Sequence, residues 1–177
     1  MEISMKRHSI LAATLVTALA GALHAQSANP LSTELKASYT RVKTNFIKAA
    51  EKMPEDQYDF KPVPEVESFK ERVAHIAVSS MGPCSALKGE PKTIDAKTLK
   101  TKADVVAALK ESFATCDAVF DNLTDADAVN PVSTGRGPAR SKIALGYGLI
   151  AHDQELYGYI CVYMRLKGIV PPTSEPR

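Results

Sequence analysis

The chain lacks several things, and each absence closes off a class of protein. It has only three cysteines in 177 residues, too few for a small disulfide scaffold and without the paired spacing of a zinc module. Neither charge dominates: 22 Lys and Arg against 20 Asp and Glu leave a net +2. With no basic surplus to grip phosphates, nucleic acid is not expected as a partner. The apolar run Ile10–Leu23 is 14 residues long, short of the ~20 that cross a bilayer. No long segment alternates with period two, so nothing announces a sheet. Serine-hydrolase elbows, phosphate-binding glycine loops and dinucleotide fingerprints are missing, and Gly135-Arg136-Gly137 is too short for a phosphate cradle. What remains, 45% hydrophobic and 24% charged, is the make-up of one ordinary globular domain.

The first 25 residues do not belong with the rest. Lys6, Arg7 and His8 precede the apolar run, and His24-Ala25-Gln26-Ser27 follows it. A positive start, a short apolar stretch and a small residue before polar sequence read as a secretory signal peptide over residues 1–25, cut after Ala25. Ala20-Gly21-Ala22 offers an alternative cut. Removing 25 residues leaves 152, and the loss of Glu2, Lys6 and Arg7 brings the charge to +1. The expected destination is periplasmic or extracellular, where disulfides persist. After cleavage no membrane attachment is expected.

The remainder reads as four long helices. Asn29-Pro30 gives a cap and a first-turn proline. Leu31, Leu35, Tyr39, Val42, Phe46 and Ala49/Ala50 then recur at spacings of three and four, up to Met53-Pro54. Pro54 to Ser68 is a proline-rich loop. Ser68-Phe69-Lys70-Glu71 is a capping box that opens a second helix. Its inner stripe is Phe69, Val73, Ile76, Ala77, Ser80 and Cys84. Gly82-Pro83 should bend or loosen the last turn, and Gly89 and Pro91 close it. Thr101 with Asp104 opens a third helix with Val105, Leu109, Phe113, Cys116, Val119 and Phe120 inward. Thr124 to Pro138 is a polar loop. A fourth helix starts at or just after Pro138 and ends near Leu166 or Lys167, where Gly168 can turn left-handed and Pro171-Pro172 forbid continuation. The expected architecture over residues 29–174 is an all-α four-helix bundle.

Two histidines remain in the mature chain. His152 falls on the stripe Leu145, Leu149, Leu156, Tyr159, Tyr163 and Leu166, so it is expected to face the bundle interior. There it needs a hydrogen bond or a metal. His75 lies off its helix's aliphatic stripe, beside Arg72 and Ser79 and one turn after Glu71, as a groove or surface residue. Cys84 and Cys116 both sit on apolar faces. In an exported chain they form either a disulfide, worth roughly 3 kcal/mol for a loop of that length, or two buried thiols. Cys161 lies opposite the His152 stripe and reads as packing or part of a dimer face. Tyr147, Tyr157, Tyr159 and Tyr163 crowd the last helix, where tyrosines usually pack with the hydroxyl at the rim.

The segment Ser68-Phe-Lys-Glu-Arg-Val-Ala-His75-Ile-Ala, a third helix, and then Ala151-His152-Asp153-Gln154-Glu155-Leu156-Tyr157-Gly158 resemble the DinB-like superfamily of four-helix bundles. These are unrelated to the DNA polymerase that shares the name. The ending Val162-Tyr-Met-Arg-Leu-Lys-Gly-Ile-Val-Pro-Pro172 is similar to that of an exported branch. The resemblance implies a divalent metal, zinc or nickel, held by one histidine of the second helix and two of the last at His-x-x-x-His spacing. Residues four apart share a helix face, so both imidazoles reach one ion. It further implies thiol-dependent transferases among the relatives, and dimers. His75 takes the place of the first ligand and His152 that of the second. Leu156 takes the place of the third and has no donor atom.

Three readings follow. In the first, the bundle keeps a degenerate metal site at His75 and His152 and binds a small molecule, or a metal weakly. In the second, Glu155, about 60° around the helix from His152, or a water completes a two-histidine, one-carboxylate set for a metal-dependent thiol transferase or hydrolase. In the third, the bundle is an interaction module without a site. A pocket beside His152 that reaches His75 would favour the first two, and a core filled around Leu156 the third.

Overall fold

The structure, a computed structural model, describes residues 28–134 and 137–176. The expected signal segment and the Gly135-Arg136 part of the loop lie outside the described residues. Four long helices carry the fold: α1 (Pro30–Lys52), α2 (Phe69–Lys88), α3 (Lys102–Phe120) and, after the short α4 (Asp125–Ala128), α5 (Lys142–Leu166). The all-α expectation is met.

Local chemistry places most of the ends. Ser68 accepts from the Glu71 N–H while Glu71 accepts from the Ser68 N–H, and Thr101 and Asp104 repeat the arrangement. α2 runs on through Pro83 and stops at Gly89, whose φ of 81° suits a residue without a Cβ. Its N–H donates to the Ala86 carbonyl, and that of Glu90 to Ser85. Gly168 has the same left-handed conformation after α5.

Two regions depart from expectation. α5 opens at Lys142, four residues after Pro138, with Ser141 as its cap. The reason is a two-residue antiparallel ladder, β1 (Pro131–Val132) with β2 (Arg140–Ser141), which holds the chain extended up to the cap. Leu31 is exposed rather than inward. The N–H groups of Leu31 and Ser32 instead donate to the carboxylate of Asp125 in α4, at 3.1 and 2.8 Å. An acid 93 residues away thus serves the start of α1, as its charge suits a helix N-terminus.

One apolar core joins the helices. Leu35, Tyr39, Val42, Phe46, Ala49 and Ala50 line the inner face of α1. Tyr39 donates to the Phe113 carbonyl at 2.8 Å and meets the Phe113 and Phe120 rings. Outside this contact Lys43 pairs with Asp117 at 2.7 Å. α5 comes close to α1 at Gly146, where a Cβ would stand 2.8 Å from Leu35 Cδ2. Further along, Phe46 meets the Tyr157 ring edge-on. α2 and α3 are joined by a Cys84–Cys116 disulfide and by Ser112, which donates to the Ala77 carbonyl. Cys161 is a free, half-buried thiol, pushed up by burial. Among the described residues no helix is long and apolar enough to cross a membrane.

Candidate functional site

The site lies where α2 meets α5. The capping box at Ser68 fixes the start of α2, and from there Arg72, His75 and Ser79 rise along one face at spacings of three and four. α5 brings His152 opposite. The two imidazole rings stand 5.3 Å apart between centroids and are tilted 39° to each other. The two histidines singled out in the sequence therefore do meet, at the rim of the bundle. Their side chains are 43% and 37% exposed.

The inward face of α5 is not the expected one. Its buried positions are Gly146, Leu149, Ile150, Asp153, Leu156, Ile160, Tyr163 and Met164, a stripe centred on Asp153 and Leu156. Tyr159 and Leu166 are exposed, and His152 is at the edge. The buried stripe is thus turned by about one position from the expected Leu145, Leu149, His152, Leu156, Tyr159, Tyr163 and Leu166. In the folded chain Asp153 is only 1% exposed, and one of its oxygens, Oδ1, has no hydrogen-bond partner. That oxygen is 3.5 Å from His152 Nδ1, an ion-pair contact without hydrogen-bond alignment. Burial pushes the Asp153 carboxyl up, against the pull of His152 and His75. Asp153 in turn holds the His152 imidazole above its ordinary range, against burial, with a smaller push from Glu155.

The α2 side carries a matching set. His75 Nδ1 is 3.7 Å from Glu67 Oε1, and the other oxygen of that carboxylate is 3.2 Å from Arg72. The Arg72 guanidinium stacks over the Tyr159 ring at 4.8 Å. Tyr163 ties the two elements together by donating to the Glu67 carbonyl at 2.7 Å. Glu67 and Asp153, the acids behind the two histidines, are the residues that sequence reasoning missed. The signal for Asp153 was its place at the middle of Leu149, Leu156, Ile160 and Tyr163.

The donors do not fit a three-histidine metal centre. The third position is Leu156, 4% exposed and part of the core. Glu155 accepts a hydrogen bond from the Tyr159 hydroxyl at 3.0 Å. Among the described residues no three His, Cys, Asp or Glu side chains converge as metal ligands do. What the groove presents is two half-exposed imidazoles, each backed by a carboxylate.

An all-α bundle of four long helices with facing histidines on its second and last long helices is thus the class of protein in hand. The chain belongs to the DinB superfamily, whose sequence profile matches residues 38–160. It is similar in fold to a DinB-like protein from Bacillus subtilis, with a TM-score of 0.66 and 20% identity over 81% of this chain and 99% of that one. A DinB-like protein from Bacillus cereus is comparable, at 0.65 and 17% over 78% and 93%. No functionally curated protein matches the chain significantly.

Proposed function

We propose that this is an exported small-molecule-binding member of the DinB superfamily, in which His75 and His152 form a degenerate, weak subsite for a divalent metal such as zinc or nickel. The observation that carries the reading is the pair of facing rings at 5.3 Å; the core packing of Leu156, where a third ligand would stand, and the absence of His152 from the cleft that His75 lines favour, as the second reading, an interaction module without a site. Two neutral imidazoles supply half of a tetrahedral set, so affinity is low and any remaining positions belong to solvent or ligand. The carboxylates of Glu67 and Asp153 orient the rings from behind, as outer partners of metal-binding histidines do. The Cys84–Cys116 disulfide supports an oxidising destination.

Calorimetric titration of zinc and nickel into the purified protein tests this. Weak one-to-one binding that His152→Ala abolishes is expected. Leu156→His should tighten it by about tenfold or more, because residues 152 and 156 share a helix face. Absence of binding in both the parent and Leu156→His would end the metal reading and leave an interaction module. Tight binding by the parent would point instead to Glu155 as a third ligand and to hydrolase or thiol-transferase chemistry.

A further inference from the structure

The side of a bundle helix that meets water is ordinarily rich in charge. α1 obeys that rule, with Glu34, Lys36, Arg41, Lys48 and Glu51 exposed. α5 does not. Between Lys142 and Arg165 its exposed residues carry one charge, that of Glu155. Large apolar groups stand out instead: Tyr147 is 46% exposed, Val162 54% and Leu166 58%. At about 100° per residue, Tyr147, Ala151, Gly158, Val162 and Arg165 fall within about 40° of one line along the helix. That line runs opposite the buried stripe of Leu149, Asp153, Leu156 and Ile160. The bundle core therefore takes nothing from this face, and an uncharged face of this kind marks an interaction surface.

The face is also self-complementary. At its middle a Cβ on Gly158 would meet nothing within 4 Å among the described residues. The exposed Val162 stands one turn further on. The two charges flank this pair, Glu155 on one side and Arg165 on the other. Each meets a neutral hydroxyl of its own chain, Glu155 that of Tyr159 at 3.0 Å and Arg165 that of Ser174 at 2.8 Å. A second α5 laid antiparallel, about a two-fold axis at the height of Ile160, sets residues equally far before and after Ile160 against each other. Val162 of each copy then fills the gap over Gly158 of the other. Arg165 of each copy comes beside Glu155 of the other, and Leu166 beside Gln154. A two-fold pairing makes every such contact twice.

We infer that the outer face of α5 docks a second copy of this chain, antiparallel about Ile160, with Val162 against Gly158 and Arg165 against Glu155. His152 lies about 120° around the helix from Gly158, outside this face, so the inference does not depend on the imidazole pair.

Sedimentation equilibrium of the purified protein tests it, with EDTA present so that no metal bridges two copies. A monomer–dimer equilibrium is expected. Val162→Glu should weaken it at least about tenfold, because it places two carboxylates in the apolar centre of the pairing. Glu155→Arg alone and Arg165→Glu alone should each weaken it by about tenfold, since each sets like charges face to face. An equimolar mixture of those two variants should pair about as tightly as the parent, because every facing pair is again opposite in sign. His152→Ala should leave the equilibrium within about twofold. A protein that stays monomeric at every concentration overturns the inference, as does a dimer indifferent to Val162→Glu. So does a mixture of the charge variants that pairs no better than either alone. Should Val162→Glu fail to fold, that mixture decides, since Glu155 and Arg165 are exposed.

Discussion

α2 is used differently on its two sides. Toward α3 it is closed: a disulfide, the Ser112 hydrogen bond to the Ala77 carbonyl, and buried Val73, Ile76, Ala77 and Cys84 against Val105, Leu109, Phe113 and Cys116. Toward α5 it is open and polar, with two half-exposed histidines, two carboxylates and an arginine over a tyrosine. Among the described residues three buried side-chain atoms lack a hydrogen-bond partner, and two of them, Arg72 Nε and Asp153 Oδ1, belong to this open side. The third, Ser80 Oγ, belongs to a residue whose carbonyl is 3.7 Å from Cys116 Sγ. Unsatisfied buried polar groups are costly, so their gathering at one interface marks where the fold gives up stability to present chemistry.

Three variants break or sharpen that contrast. The largest effect belongs to the closed side. Replacing Cys84 and Cys116 together by serine should cost about 3 kcal/mol, read as a fall in the midpoint of chemical unfolding. A loss confined to a few tenths would show that the apolar packing alone holds α2 to α3. On the open side the sign should reverse. Asp153→Leu should stabilise by about 1–2 kcal/mol, because a buried charge without full pairing is replaced by apolar surface and His152 keeps access to water. Destabilisation of that size would mean Asp153 is a structural anchor. Ser68→Ala, which touches neither interface and only uncaps α2, should cost about 1 kcal/mol. Thermal melts would reveal it, and a negligible change would shift the burden of starting α2 to tertiary packing.

The smallest effect is in acid. Hydrogen bonds from Ser68 hold the Glu71 carboxyl below its ordinary range, and those from Thr101 do so for Asp104. Burial opposes the same effect at Asp125, but the N–H groups of Ser32 and Leu31 outweigh it. Lys142 acts likewise on Asp127. A lowered carboxyl contributes stability that is present above its unfolded pKa of about 4 and is lost as pH falls through the folded value. The melting temperature should therefore hold near neutrality and decline below about pH 4. Asp104→Asn with Glu71→Gln should flatten that decline. An unchanged slope would assign acid sensitivity to other groups.

Much of this was legible in the chain. The starts at Ser68 and Thr101 and the stops at Gly89 and Gly168 rest on residues within a turn of each other, so short-range chemistry suffices to read them. The inner stripes of α1, α2 and α3 follow from spacing alone, apart from Leu31 and Val119, which are not buried. The start of α5 was not legible, because the ladder between Pro131–Val132 and Arg140–Ser141 has no periodic signature at two residues per strand. Nor was the Asp125 contact with Leu31 and Ser32, which spans more than 90 residues.

By itself the sequence determined the four long helices, the pairing candidates Cys84 and Cys116, and the lack of a third histidine at Leu156, since each follows from residue identity and spacing along one helix. Tertiary structure alone decided that Asp153 turns inward while His152 stays at the rim. A helix's own pattern leaves its rotation about its axis free by one residue, and only packing of Leu156 and Ile160 into the common core fixes it. That rotation brings the His75 and His152 rings within 5.3 Å of each other and leaves a carboxylate buried behind His152.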